Sequence, residues 1–188
     1  MSTSETKIIQ AFKRQLGINH YSQITASELM SQAKVSRSTF YRHFGAKLDV
    51  LLRLHELAFH GLLKELKQPQ DWHAITPPES LVTLLKRFEG QRILHGSMTS
   101  QMGADGDLAH RRIQSSLEHV LQHRLEQCFE HHQWAVSLEL LVHSIGGLYM
   151  THLSLLRQKK PHQSAEHAAQ IIHRHTRALV LDAALASK

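Results

Sequence analysis

Thr25-Ala-Ser-Glu-Leu-Met-Ser-Gln-Ala-Lys-Val-Ser-Arg-Ser-Thr-Phe-Tyr-Arg-His-Phe44 spells two short helices joined by a tight turn. Thr25 and Glu28 have the spacing of a capping box, in which the hydroxyl accepts from the third backbone N–H and the carboxylate reaches back. Val35 is a lone apolar residue in the turn, and Ser36 is placed as N-cap of the second helix with Thr39 at its third position. Phe40 and Phe44 are four apart, so they share one face of that helix, and two rings on one face call for burial. Arg37, Ser38, Tyr41 and Arg42 fall on other faces and can project outward. A short helix pinned by rings on one side and carrying donors on the other suits the major groove of duplex DNA. Its N-terminus also presents a positive dipole to phosphate.

The segment Val35-Ser-Arg-Ser-Thr-Phe-Tyr-Arg-His-Phe44, followed by Lys47, resembles the recognition segment of TetR-family transcriptional regulators. The resemblance is specific over roughly residues 5–55, and beyond that it is one of length and helix pattern. It implies an all-α homodimer, with an N-terminal three-helix helix-turn-helix domain and a C-terminal helical bundle that binds a small effector. We place the boundary so that residues 1–47 form the DNA-binding domain and 48–188 the effector-binding and dimerisation domain. By resemblance, Ser36, Arg37, Ser38 and Thr39 sit where the groove is entered. Tyr41, His43 and Lys47 match positions that hold the DNA backbone, and Thr25 matches a phosphate contact, with Arg42 beside them. Many members have Gly where this chain has Lys34. A left-handed backbone there costs a side chain on the order of 1 kcal/mol, so either the turn is shaped differently or Lys34 adds a phosphate contact in return.

Charge agrees with a polyanionic partner. Residues 1–67 hold ten Lys or Arg against five Asp or Glu, and residues 68–188 hold twelve against eleven. Nearly all the excess positive charge of this 188-residue chain therefore lies on the segment with the motif. The start, Met1-Ser-Thr-Ser-Glu-Thr, has neither a basic region nor an apolar core, and residues 134–156 are interrupted by Glu139, His143 and His152. A cytoplasmic protein without a membrane span is expected. Cys128 is alone, excluding an internal disulfide, and its apolar neighbours make it a core residue.

The rest predicts helices with punctuation. A first helix runs from a Ser2/Glu5 cap to Gly17, and a long one spans 46–67. Residues 68–78 form a loop, and a Thr76/Glu79 capping box with Pro77 opens a helix to Gly90. A short helical stretch passes Ile93 and Met98, Asp107 caps a helix to His131, another spans 134–157, and Ser164 starts the last. The helix 134–157 is apolar on most sides and must be buried on several of them. With the last helix it is expected to form the subunit interface, through Leu141, Ile145, Gly146, Leu148, Ala168, Ile172 and Leu179. An effector pocket is expected among Phe59, Phe88, His95, Met98, Met102, Trp134 and Tyr149, where rings and thioethers suit a small apolar or aromatic ligand; ordinary core packing explains each residue equally well.

His119 and His123 have zinc-ligand spacing, and Glu126 and Glu130 continue their stripe. That stripe lies opposite Ile113, Leu117, Leu121 and Cys128, so it reads as a solvated face and no metal or other cofactor is assigned. The chain has seventeen histidines, so acid makes it more cationic, and tighter, less selective DNA binding is expected below about pH 6. There is no phosphate loop, nucleophile elbow or HExxH, so no enzyme is expected. The expected function is transcriptional repression at a near-palindromic operator, relieved by a small molecule. The alternatives are a DNA-bound adaptor under a protein partner and a histidine-based metal sensor.

Overall fold

The computed structural model describes residues 2–90, 102, 105–130, 132–157 and 164–184. Among them every regular element is helical: α1 (Thr3–Leu16), a 3₁₀ turn Tyr21–Gln23, α2 (Ala26–Ala33), α3 (Arg37–His43), α4 (Lys47–Leu62), α5 (Pro69–His73), α6 (Glu79–Gly90), α7 (Gly106–Cys128), α8 (Leu138–Arg157) and α9 (Ala165–Ala183). None of the helices is long and apolar enough to cross a membrane. The chain divides into two compact units, Met1–Leu57 with Gln91–Ile113 and Ala58–Gly90 with Gln114–Lys188. The functional boundary expected after Lys47 falls at the first residue of α4, whereas packing keeps residues up to Leu57 with the first unit. The reason is apolar: Leu48, Val50, Leu51 and Leu54 on the first turns of α4 are all buried.

In the first unit α1 packs on α2 and α3. The Ser2/Glu5 capping box starts α1, and its inward face of Ile8, Ile9, Phe12 and Leu16 is buried. Phe12 meets Tyr21 edge to face with centroids 6.3 Å apart. Leu29, Phe40 and Phe44 close the same core, each large side chain contributing about 2–3 kcal/mol by leaving water. Arg53 on α4 ties back to Glu5 on α1 at 2.9 Å.

In the second unit α9 packs against α5, α6 and α8. Trp72, Leu81, Leu85, Leu117, Leu121, Leu125, Ile145 and Ile172 form its core. Three local expectations are corrected here. The stretch 68–78 is not all loop: Pro69 starts α5, and the Asp71 carboxylate accepts from the backbone N–H groups of Lys67 at 2.8 Å and Gln68 at 3.0 Å. α6 begins at Glu79 rather than Pro77: the Pro78 carbonyl accepts the first helical bonds, from Leu81 and Val82, Glu65 accepts the Ser80 N–H at 3.0 Å, and the Ser80 hydroxyl donates to the Leu62 carbonyl. α8 begins at Leu138 rather than Trp134. Trp134 pairs its backbone with Ala184, Ala135 N–H donates to Ala183 at 2.7 Å, and Ser137 caps the Leu140 N–H. Cys128 is buried as expected, donating to the Leu66 carbonyl at 3.3 Å, and burial pushes its thiol pKa up.

Candidate nucleic-acid interface

The turn of the motif has the left-handed shape that glycine usually supplies. Lys34 sits at φ 52°, ψ 49° and is the positive-φ non-glycine residue of the described chain. Val35 N–H donates to Met30 and Lys34 N–H to Ser31, the paired bonds of a Schellman ending. The turn therefore keeps its ordinary path, and Lys34 carries the steric cost.

Beyond the turn, Ser36 Oγ accepts the Thr39 N–H at 3.1 Å and starts α3. The same oxygen donates to Thr39 Oγ1 at 2.9 Å and lies 3.0 Å from Ser38 Oγ. One hydroxyl has one proton and two lone pairs. With its proton given to Thr39, Ser36 is saturated, Ser38 is the donor to it, and the Thr39 proton remains for an outside acceptor. Phe40 is fully buried and Phe44 5% exposed, their centroids 6.0 Å apart. Arg37, Ser38, Tyr41 and Arg42 on the opposite flank are exposed, with Thr39 and His43 half-buried. The Arg37 guanidinium lies 5.4 Å from the Tyr41 ring centroid, a cation–π contact worth roughly 0.5–1 kcal/mol on an exposed face. It holds both side chains in one place while leaving the guanidinium edge free to donate.

The flanking contacts are less available than the motif suggests. Thr25 is exposed, but its hydroxyl donates to Glu28 at 2.8 Å and accepts the Glu28 N–H at 3.2 Å. These Thr25 contacts hold the Glu28 carboxyl below its usual pKa, and Thr25 would release Glu28 before donating to phosphate. His43 Nε2 lies 3.3 Å from Ser2 Oγ, tying the end of α3 to the cap of α1. Lys47 donates to the carbonyls of Tyr21 and Ile24, both at 2.7 Å, and stands 4.0 Å from the centroid of the Tyr21 ring. Burial lowers its ammonium pKa, and Asp105 and Glu28 oppose that. Two of its three protons thus serve the protein. Tyr21 in turn donates to Asp105 at 3.3 Å, and its phenol pKa is raised by burial and by Asp105. Arg112 on α7 pairs with Asp49 at 3.3 Å. No local spacing points to this Tyr21–Lys47–Asp105 group, whose members are far apart along the chain.

The other expected sites divide. Phe59 and Tyr149 are buried in the second unit, and Met102 in the first. Trp134 is half-buried and packs at a tilt against Phe129 with centroids 5.2 Å apart. The Phe88 side chain, His95 and Met98 lie outside the described residues. Of the positions expected between subunits, Leu141, Ile145, Ala168 and Ile172 are buried inside the subunit. A Cβ at Gly146 would meet the Glu118 side chain of α7 at 2.9 Å, so that glycine makes room for Glu118. Leu148 is half-exposed and Leu179 37% exposed. His119, His123, Glu126 and Glu130 all face solvent, and no group of three or more metal-ligating side chains converges among the described residues.

Comparison with known proteins fits this geometry. Residues 8–54 match the family model described as bacterial regulatory proteins, tetR family. Over 88 residues, 47% of this chain, the sequence is 30% identical to the HTH-type dhaKLM operon transcriptional activator DhaS of Lactococcus lactis subsp. lactis (strain IL1403). That match spans 44% of the relative's length, less than half of it. The fold is shared with the TetR family repressor AlkX of Dietzia sp. strain DQ12-45-1b, implicated in biodegradation of n-alkanes (TM-score 0.65, 16% identity, 95% of this chain and 96% of that one). It is also shared with Thermus thermophilus FadR, a TetR-family repressor in complex with lauroyl-CoA (TM-score 0.57, 19% identity, 98% and 97%).

Proposed function

We propose that this chain, which belongs to the TetR family of DNA-binding transcriptional regulators, is a homodimeric repressor that a small molecule releases from a near-palindromic operator. Each subunit lays α3 in a major groove. Arg37, Ser38 and Thr39 read base edges, while Tyr41, Arg42 and His43 position the helix on the backbone. The observation that carries this reading is the division of α3: Phe40 and Phe44 hold one flank inside, and Arg37 and Tyr41 stand together on the exposed flank. Lys47 acts one step back, fixing the Tyr21–Ile24 turn against α4. A regulator of this kind works in the cytoplasm.

Dimerisation is assigned to the outer sides of α8 and α9. Leu140 is 57% exposed, Leu179 37% and Leu181 39%. Gly147 has open space where its Cβ would be, so a partner helix can approach there. The effector is assigned to the second unit; FadR, which shares the fold, is a repressor found in complex with lauroyl-CoA. It releases DNA only by binding the two conformations of the protein with different affinity. α4 begins in the first unit and ends in the second, so it is the rod that such a change would move. DhaS is an activator, whereas AlkX and FadR are repressors.

Selection of bound duplexes from a random library tests the reading. The selected sites should show two related half-sites spaced about one helical turn or a multiple of it. Arg37→Ala should lose preference at particular base pairs while still binding. A protein that retains no duplex at low salt refutes it.

A further inference from the structure

One feature of the first unit is not accounted for by the recognition helix. A cleft between α1 and the end of α2 is lined by Lys7, Gln10, Arg14, Gln32, Ala33 and Lys34. It holds three cations, two amides and no carboxylate, and its five polar side chains are all exposed. Lys7, Arg14 and Lys34 make no ion pair among the described residues. In the same unit Arg53 pairs with Glu5 and Glu56, and Arg112 with Asp49.

We propose that this cleft holds the sugar-phosphate backbone of duplex DNA just outside the base pairs that α3 reads. The proposal rests on the DNA-binding reading above and extends the contact surface to α1, which carries no part of the motif. Three observations favour it. Lys7, Gln10 and Arg14 lie on one face of α1 over seven residues, a rise of about 10 Å, which follows a strand rather than grips a single anion. Lys34 lies two residues ahead of the α3 cap, so its backbone is within about 7 Å of Ser36, and the cleft opens beside the end of the reading helix. Three unmatched positive charges close together repel one another in the free protein, and phosphates relieve that repulsion while their counterions are released.

The test uses the full chain and an operator recovered by selection. One duplex ends at the outer edges of the half-sites, and a second extends about half a helical turn further on each side. Wild-type binding should be tighter and more salt-dependent on the longer duplex. Lys7→Gln/Arg14→Gln should erase that difference, lowering the salt slope on the longer duplex by about 0.9 per phosphate lost. Affinity for the shorter duplex should change less than about twofold, which is under 0.5 kcal/mol. An unchanged melting temperature confirms that the variant folds. Equal loss on both duplexes, or no loss on either, overturns the proposal while leaving α3 as the reader. A melting temperature raised by millimolar pyrophosphate in the wild type alone, with equal binding to both duplexes, also overturns it and makes the cleft a small-anion site. If the wild type ignores every duplex, the DNA-binding reading itself has failed.

Discussion

Replacing Lys34 with glycine should make this protein more stable and a poorer DNA binder. Lys34 sits at φ 52°, ψ 49°, inside a Schellman ending whose two backbone bonds fix that conformation. A left-handed residue with a Cβ costs roughly 1–2 kcal/mol. Glycine removes that cost but frees more chain entropy in the unfolded state, about 0.5–1 kcal/mol. The net gain is therefore about 0.5–1 kcal/mol, or about 1–4 °C in melting temperature for a chain of this length. Calorimetry of the wild type, Lys34→Gly and Lys34→Ala separates the terms. Alanine keeps the strain and loses the charge, so it should melt within about 1 °C of the wild type. Both variants should lose affinity for the longer operator duplex, because each removes one cation from the cleft. If Lys34→Gly melts below the wild type, or alanine gains as much as glycine, the reasoning about backbone strain is wrong.

Arg37→Ala should relax base preference at one or two operator positions, a loss of about 1–3 kcal/mol in discrimination, read by competition among single-substitution duplexes; uniform weakening would move Arg37 to the backbone. Lys47→Met should lower the melting temperature through two lost charge-assisted bonds to the Tyr21 and Ile24 carbonyls and leave the salt slope of DNA binding nearly unchanged; a slope reduced by about 0.9 with no loss of stability would restore Lys47 to a phosphate. Leu140→Arg on the outer side of α8 should turn the dimer into a monomer in sedimentation without lowering the monomer's melting temperature, and a persistent dimer would place the interface elsewhere. Burial lowers the pKa of His55 and of His173, the latter beside the Ala74 carbonyl and Arg177. The unfolded chain then binds protons more readily, so this stability is full above about pH 6.5 and falls as pH drops below it. Thermal melts from pH 7.5 to 5.5 should show the decline, and His173→Asn should reduce it.

The recognition helix was legible because everything that defines it is local. The Ser36 cap, the ring pair at Phe40 and Phe44 and the exposed flank all follow from spacings of three and four within one helix. The tie of Lys47 to the Tyr21 and Ile24 carbonyls was not legible, because those partners lie far back in the chain, where periodicity carries no signal. The start of α6 differs similarly: Thr76 has the right spacing, but the helix opens at Glu79, where Glu65 from a preceding segment accepts the Ser80 N–H. α8 posed a different difficulty. A helix apolar on nearly all sides does not say which side faces its own subunit, and Leu141 and Ile145 turned inward while Leu140 turned out. Gly146 looked like an opening for a partner, and only coordinates reveal Glu118 beside it. The basic character of residues 1–67 was plain in the composition, yet its concentration at Lys7, Arg14 and Lys34 depends on how α1 crosses α2.

The anchoring of α3 has an evolutionary corollary. Its hold on the protein runs through Phe40, Phe44 and the Ser36 cap, none of which is needed to distinguish one base from another. Positions 37 and 38, assigned above to base readout, are exposed, and substitutions at exposed sites seldom shift stability by more than about 0.5 kcal/mol. A lineage of such chains can therefore acquire new genomic addresses by drift at these positions without passing through poorly folded intermediates, while the rings stay fixed.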